Sequence, residues 1–400
     1  MSLPEGATPP TPKAASPAGR QVASESEVLD RIEAVRRRRP RLKDETVTLA
    51  HGAGGKASAA LVDAVFIEAF GAPNPAELTD AAILTVGSVG HGGTPVDGES
   101  RPWACRIALS TDSYVVNPRR FPGGSIGDLA VNGTVNDLAV SGARPVWLST
   151  AFVIEEGLAV AELRAIAADM RAAADRAGVA IVTGDTKVVP KGAADGCFIT
   201  TAGVGIVPDG RVLGADQVRV GDRVLLSGPL GSHGMAVMMA RGNLAIEADI
   251  QSDSAPVTAA VEALFVGVPQ VRWMRDPTRG GLATVANELA QASGLGVLLD
   301  EEALPVRPEV RGACDMLGID PLYVANEGVF VAVVPADQAD AALSAVRRAG
   351  GAGRGDGPGA GAAMIGRIVA NPPGLVTVRN AFGGTRLVDM LVGDPLPRIC

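Results

Sequence analysis

The sequence predicts a two-domain protein of the α/β class, with α+β character and a tail at each end, and three observations carry that reading. At 400 residues the chain is longer than a single core, which rarely grows beyond about 250–300 residues. Apolar strand-like runs that end in an acid alternate with helical stretches, the arrangement in which α/β folds place ligand chemistry at strand ends. Composition is globular, 47% hydrophobic and 20% charged, while 50 glycines and 28 prolines predict long loops.

Composition also excludes classes of function. Aromatic residues make up only 3% of the chain and the net charge is −8, which argues against base-stacking platforms and against a general nucleic-acid or membrane surface. The four cysteines, Cys105, Cys197, Cys314 and Cys400, form no C-x-x-C pair and have no close histidine, so neither a zinc site nor a disulfide framework is indicated. That usage fits a reducing cytoplasm.

Residues 1–45 read as a disordered tail, rich in Ala, Pro, Ser and Thr, with an arginine run at Arg36-Arg37-Arg38-Arg39. No apolar stretch follows that run, so a signal peptide is rejected. An N-terminal domain is expected over 46–210. It opens with Thr46-Val47-Thr48-Leu49, then His51-Gly52-Ala53-Gly54-Gly55-Lys56, and a helix with Leu61, Val62, Val65, Phe66 and Phe70 on one face. A glycine-rich loop with a lysine before a helix suits a phosphate cradle, because bare amides and a helix N-terminus both favour anions; a surface turn is the plain alternative. It is not a P-loop, whose spacing is absent.

Two apolar runs follow, each beside an acid: Leu78 to Leu84 with Asp80, and Arg106 to Ser113 with Asp112. The polar, glycine-rich stretch between them, 87–102, reads as a removable loop. Gly123-Gly124-Ser125-Ile126-Gly127 leads into a helix in which Asn132, Asn136 and Asp137 stand among small apolar residues. Buried polar groups need partners, and a metal or phosphate would provide them. Val160 to Ala177 is an amphipathic helix stopped by Gly178. The next buried strand ends in Gly184-Asp185-Thr186-Lys187, and a β-rich run covers Cys197 to Val207.

The second domain, expected over 211–375, opens with the strand Arg223 to Leu226 and a glycine-rich helix start that contains His233, to which no role is given. Arg275-Asp276-Pro277-Thr278-Arg279-Gly280-Gly281 precedes a helix, so Asp276 is placed either to meet a cation or to form a helix-entry turn. Val324-Ala325-Asn326-Glu327-Gly328 enters a strand ending at Val334, a helix follows from Pro335 to Arg348, and 350–361 is low-complexity loop. Residues 376–400 are expected as a second tail. Pro395 and Pro397 stiffen its approach to Cys400, so it reads as an arm that carries a thiol.

The ordered set of His51-Gly-Ala-Gly-Gly, Ser110-Thr-Asp-Ser-Tyr-Val115, Phe121-Pro-Gly-Gly-Ser-Ile-Gly127, Asn136-Asp-Leu-Ala-Val-Ser-Gly-Ala143, Gly184-Asp-Thr-Lys187, Arg275-Asp-Pro-Thr-Arg-Gly-Gly281, Ala325-Asn-Glu-Gly328 and Pro397-Arg-Ile-Cys400 closely resembles the HypE family of hydrogenase maturation proteins. The resemblance runs from about residue 46 to the last one. It implies a two-domain fold of the AIR synthase-like superfamily, flexible tails, and a homodimer whose N-terminal domains join their sheets, with ATP and Mg²⁺ in the clefts.

The activity the resemblance implies is ATP-dependent dehydration of a carbamoyl group on Cys400 to a thiocyanate, the source of cyanide on the iron of [NiFe]-hydrogenases. HypF is implied as carbamoyl donor and the HypC–HypD complex as cyanide acceptor. Asp80, Asp112, Asp137 and Asp276 are then expected to hold Mg²⁺, which suits few carboxylates plus phosphate oxygens. Gly54, Gly55, Asp112, Asn136, Asp185 and Thr186 are expected to bind the nucleotide. Lys187 would neutralise charge on the phosphoryl group or orient the carbamoyl, and Glu327 would take the nitrogen proton. Departures from the family are the basic N-terminal tail and the 87–102 insertion. Rival readings are a selenophosphate synthetase, which needs a Cys or selenocysteine that residues 51–56 lack, a thiamine-phosphate kinase, which has no use for a terminal thiol, and a non-catalytic carrier of a modified cysteine.

Overall fold

The computed structural model describes residues 42, 44–52, 55–70, 80–86, 105–242, 248–350, 361–391, 393, 396 and 398–400. The expected N-terminal tail up to residue 41, the 87–102 loop, Gly54, Pro395 and Pro397 lie outside them. All described residues belong to one compact unit, Pro40–Cys400.

The first half builds a five-stranded sheet from β1 (Ala82–Val86), β2 (Cys105–Tyr114), β5 (Arg144–Glu155), β6 (Ala180–Val189) and β7 (Cys197–Val207), in the order β1-β2-β7-β5-β6. Between β2 and β5 a short hairpin, β3 (Arg120–Phe121) with β4 (Gly124–Ser125), leads into the helix Ile126–Val140. Ser125 caps that helix, its hydroxyl accepting from the amides of Gly127 and Asp128. The helix is apolar almost all round because it is buried between this sheet and the second half of the chain. Within this sheet only β5 and β6 are parallel, and the expected helix Val160–Ala177 makes their crossover, ending at Gly178 with φ 71°.

The second half builds a seven-stranded sheet from β8 (Arg223–Leu226), β9 (Trp273–Arg275), β10 (Gly296–Asp300), β11 (Val331–Val334), β12 (Ala363–Val369), β13 (Val376–Arg379) and β14 (Thr385–Val388), in the order β14-β13-β10-β12-β8-β11-β9. Helices cover both faces. Leu225, Ala332 and Val334 pack with Leu264, Phe265 and Val346 of the helices Thr258–Gly267 and Ala339–Gly350, while Leu226, Val331 and Val333 pack with Leu282 and Leu289 of the helix Gly281–Ser293. Burial on both sides is why β11 reads as an unbroken apolar run.

Two expectations change here. Residues 376–388 are not tail: β13 pairs in parallel with β10 and β14 pairs with β13, so the sheet continues to Val388. Further on, Leu396 and Ile399 sit in the apolar core that Ile126, Leu129 and Ile166 share with Met235, Val237 and Val324. The two halves therefore meet in one core, and the end of the chain is part of it. The helix that starts at Lys56 does form, with a π-helical stretch over Val62–Ile67, but its apolar face is open: Val62, Val65 and Phe66 are all exposed. No helix among the described residues is long and apolar enough to cross a membrane.

Candidate active site

Three segments far apart in sequence bring carboxylates together. Asp80 stands just before β1, Asp137 lies in the last turns of the helix Ile126–Val140, and Asp276 follows β9. Each offers an oxygen within 4.8 Å of the others. Burial lifts all three above the ordinary carboxylate range. The neighbouring Asp276, Asp80 and Asp112 charges push Asp137 further, and Asp80 does the same to Asp276. Arg275 opposes the shift at Asp80, donating to it at 2.6 Å, and the Ser110 hydroxyl donates to Asp137 at 2.5 Å. Asp112 is the most exposed of the four; packing around its carboxyl lifts it, Arg279 pulls it back, and the Tyr114 hydroxyl lies 3.4 Å away. Such a set is costly while its charges are uncompensated, and its chemistry, hard oxygens in a tight group, fits a divalent cation such as Mg²⁺.

The end of the chain enters the same region. The Val115 amide donates to the main-chain oxygen of Cys400 at 3.1 Å and the Asn117 amide to the Arg398 carbonyl at 3.2 Å, so the last residues run along the exit of β2. Arg398, held at φ 58°, pairs with Asp195 at 2.7 Å and donates from Nε to the Val115 carbonyl. Arg241 donates to the Arg398 carbonyl at 2.8 Å. This seating places the Cys400 thiol 2.9 Å from Nε of Arg279, whose Nη1 reaches the Gly52 carbonyl. Burial pushes the thiol up to about 12, with the charges of Glu327 and Asp112 adding to it and Arg279 opposing. A resting thiol here is protonated.

Glu327 faces both groups. Burial lifts it well above its ordinary range, and Asp276, Asp253 and Asp112 add repulsion that Arg279 only partly offsets. Its Oε1 has no hydrogen-bond partner among the described residues, so the carboxyl keeps an acceptor in reserve. Asp253, pushed up to about 6 by burial, accepts the Glu327 and Gly328 amides at 3.2 and 3.1 Å and fixes the backbone that carries Glu327.

Other expected residues fall elsewhere. Asn136 does not face a nucleotide: its amide nitrogen donates to the Ala255 and Glu327 carbonyls and its oxygen accepts the Val257 amide, so its donors are spent on joining the two halves. Asp185, Thr186 and Lys187 lie on β6, at the edge of the sheet away from β2. Register makes the separation plain, since Asp112 lies opposite Thr201, Thr201 opposite Thr150, and Thr150 opposite Gly184. Three strand spacings amount to about 14 Å. Lys187 instead pairs with Asp185 at 2.7 Å, both side chains exposed. Gly55 stands against the Leu391 carbonyl, where a Cβ would collide, and Lys56 pairs with Asp389 at 2.8 Å. In the seated state the expected phosphate cradle therefore holds the chain's own C-terminal segment.

Sequence reading missed Arg279 and His233. Arg279 lay inside a quoted motif and only its contact with Cys400 distinguishes it. His233 is fully buried, its Nε2 2.6 Å from the Ile399 carbonyl and its Nδ1 2.8 Å from the Ser252 hydroxyl, and no local signal announces a contact across 166 residues.

Comparison with known proteins agrees with this architecture. Residues 80–207 match the AIR synthase related protein, N-terminal domain, and residues 219–354 match the C-terminal domain of the same group. The carbamoyl dehydratase HypE of Rhodobacter capsulatus is 51% identical over 362 residues, covering 90% of this chain and 99% of that protein. The Escherichia coli K12 carbamoyl dehydratase HypE is 43% identical, covering 88% of this chain and 99% of its own. Among solved structures, HypE in a HypE–HypF complex matches with a TM-score of 0.73 at 42% identity, over 83% of this chain and all of that one. HypE in complex with ATP matches with 0.69 at 42% identity, over 89% of this chain. With two glycine-rich halves, a carboxylate group between them and a thiol seated against it, the chain belongs to the HypE carbamoyl dehydratase family.

Proposed function

We propose that this protein uses ATP to dehydrate an S-carbamoyl group on its own Cys400 to a thiocyanate, which then supplies a cyanide ligand during [NiFe]-hydrogenase maturation. The observation that carries the reading is the seating of the Cys400 thiol beside Arg279 and Glu327, next to the carboxylates. A carrier that only displayed a modified cysteine would gain nothing from drawing it into a buried acidic site. The relative solved with ATP supports nucleotide use, and the relative solved with HypF supports HypF as the donor.

ATP supplies a phosphoryl group that converts the poor amide oxygen into a leaving group, so that oxygen departs within inorganic phosphate. Asp80, Asp137 and Asp276, with Asp112 beside them, would hold Mg²⁺ against the phosphates. Arg279 holds the sulfur in place. Glu327, lifted above its ordinary range chiefly by burial and with a free acceptor oxygen, takes the second nitrogen proton as phosphate leaves and the C≡N bond forms, the first being lost when the oxygen is phosphorylated. A free thiol as the working group fits a reducing cytoplasm.

A homodimer is supported by the open face of the first sheet. Leu84, Ile107 and Ile206 lie in one cross-strand row, Leu109, Val204 and Trp147 in another. Alternation puts both rows on the face opposite Ala108 and Leu148, which are buried; Leu84, Leu109, Trp147 and Ile206 are exposed. Lys187, out of reach of the carboxylates within one chain, keeps its expected part only if a second chain receives it. The HypC–HypD complex is the proposed acceptor of the cyanide group.

The test is mass spectrometry of the C-terminal peptide after incubation with HypF, carbamoyl phosphate, ATP and magnesium. The expected result is a carbamoyl adduct on Cys400 that loses the mass of one water when ATP is present, and none in Cys400→Ser. A modification on Cys105, Cys197 or Cys314, or water loss without ATP, would overturn the reading.

A further inference from the structure

His233 lies in the helix Ser232–Ala240, in the second half of the chain, yet its ring touches the peptide group that joins Ile399 to Cys400. Its Nε2 is 2.6 Å from the Ile399 carbonyl, and its Nδ1 is 2.8 Å from the Ser252 hydroxyl. A carbonyl only accepts, so Nε2 must carry the proton and Nδ1 must accept from Ser252. The Phe121 ring meets the imidazole edge to face, with centroids 5.4 Å apart at 85°, which fixes its plane. Ser252 is fixed in turn: its amide donates to the Pro122 carbonyl at 2.8 Å and its hydroxyl accepts from the Ser254 amide at 3.1 Å. Between those serines stands Asp253, which holds the Glu327 backbone.

We propose that His233 is the positioning residue for the C-terminal arm: its Nε2–H grips the Ile399 carbonyl and sets how deeply the Cys400 sulfur enters beside Arg279 and Glu327. The short segment 252–254 sets the latch on one side and the base on the other, so both ends of the reacting group are registered to one piece of backbone. Burial lowers His233 to about 4, so the ring stays neutral and keeps the single donor the latch requires across the working pH range. The inference rests on the proposed function only for what Cys400 carries; the seating of the arm is a separate matter and is measured separately.

Alkylation of Cys400 reports the seating, because the seated residue is half-buried with its thiol pushed up to about 12, while a released thiol is open to reagent and ionises in the ordinary thiol range. Iodoacetamide labelling of the full chain, followed by peptide mass spectrometry, compares Cys400 with exposed Cys105 and with buried Cys197 and Cys314. His233→Leu should speed Cys400 labelling about tenfold, the effect of losing one hydrogen bond to a buried carbonyl, while Cys197 and Cys314 stay protected. His233→Gln, which can present an N–H near the Nε2 position, should stay within about threefold of wild type. Ser252→Ala, which frees the ring tautomer without emptying the site, should fall between and serves if His233→Leu does not fold. In single-turnover dehydration of carbamoylated protein the rates should drop in the same order with KM for ATP unchanged. Cys400 labelling at the wild-type rate in both His233→Leu and Ser252→Ala, or Cys197 and Cys314 becoming reactive in step with Cys400, would overturn the proposal. A protein with no dehydratase activity but this labelling pattern would overturn the proposed function and leave the latch standing.

Discussion

Replacing Asp137 with asparagine removes one charge from the carboxylate group while keeping an acceptor for the Ser110 hydroxyl. At 4.8 Å, the widest separation within the group, two unit charges repel by about 3.5 kcal/mol at an effective dielectric of 20. Asp137 has two such neighbours. Burial first, and then this repulsion, which proton uptake relieves, hold its folded pKa well above the ordinary 3.8. Because the folded protein then binds this proton more tightly than the unfolded chain, the group's contribution to stability is full below 3.8 and is lost as pH rises through the raised folded value. In EDTA at pH 8 the variant should therefore be the more stable protein, by about 2 kcal/mol or roughly 2–3 °C in melting temperature, with little difference at pH 4. Magnesium should reverse the order. At about a hundred times its Kd, an ion bound only by folded wild type adds about 2.7 kcal/mol, and the variant should gain little. ATP turnover should vanish in the variant. Calorimetry at both pH values, with and without magnesium, decides it: a variant no more heat-stable than wild type in EDTA at pH 8, or stabilised equally by magnesium, would refute a cation site built on these three acids.

Glu327→Gln should slow single-turnover dehydration by about 10²–10⁴-fold while leaving ATP binding intact; water loss within threefold of wild type would remove Glu327 as the base. Trp147→Glu places a charge in the open apolar sheet face and should convert the proposed dimer to monomer by analytical ultracentrifugation, whereas an unchanged sedimentation coefficient would point to a different interface. Lys187→Ala and Asp137→Asn chains, each inactive alone, should recover part of the activity when mixed and allowed to exchange, and a mixture as inactive as its parts would show that Lys187 does not act across chains.

The carboxylate set was legible chiefly through the family resemblance: the ordered motifs contain Asp137 and Asp276, and Asp80 stands beside an apolar run, although only Asp276 directly follows a strand. Their mutual repulsion was not legible, since it depends on a distance. Asn136 illustrates the opposite failure: a polar residue on a buried helix face predicts a partner, but sequence cannot tell a phosphate from the Ala255 and Glu327 carbonyls that in fact occupy it. Where Lys187 lies relative to the carboxylates was not legible, because its motif says only that it ends a strand, whereas strand order puts β6 at the far edge. The hairpin of β13 and β14 carried a signal that went unused. Val376-Thr377-Val378-Arg379 and Thr385-Arg386-Leu387-Val388 flank a turn closed by Gly383 and Gly384. Lengths of four residues made both runs easy to assign to a tail.

Leu396 and Ile399, 1% and 2% exposed, make the arm's departure a local unfolding event rather than the swing of a free tether. Uncovering each side chain costs about 1.5–3 kcal/mol, and relaxing Arg398 from its left-handed backbone returns about 1–2. The unaided outward arm is therefore a minor species, and any enzyme that loads or unloads the sulfur has to compete with the protein's own core for two aliphatic side chains. Its docking groove should be greasy where it meets positions 396 and 399. A synthetic peptide of the last residues should bind such a groove through those two side chains even with the cysteine replaced, so the handover is decided by the residues behind the sulfur before any chemistry at the sulfur begins.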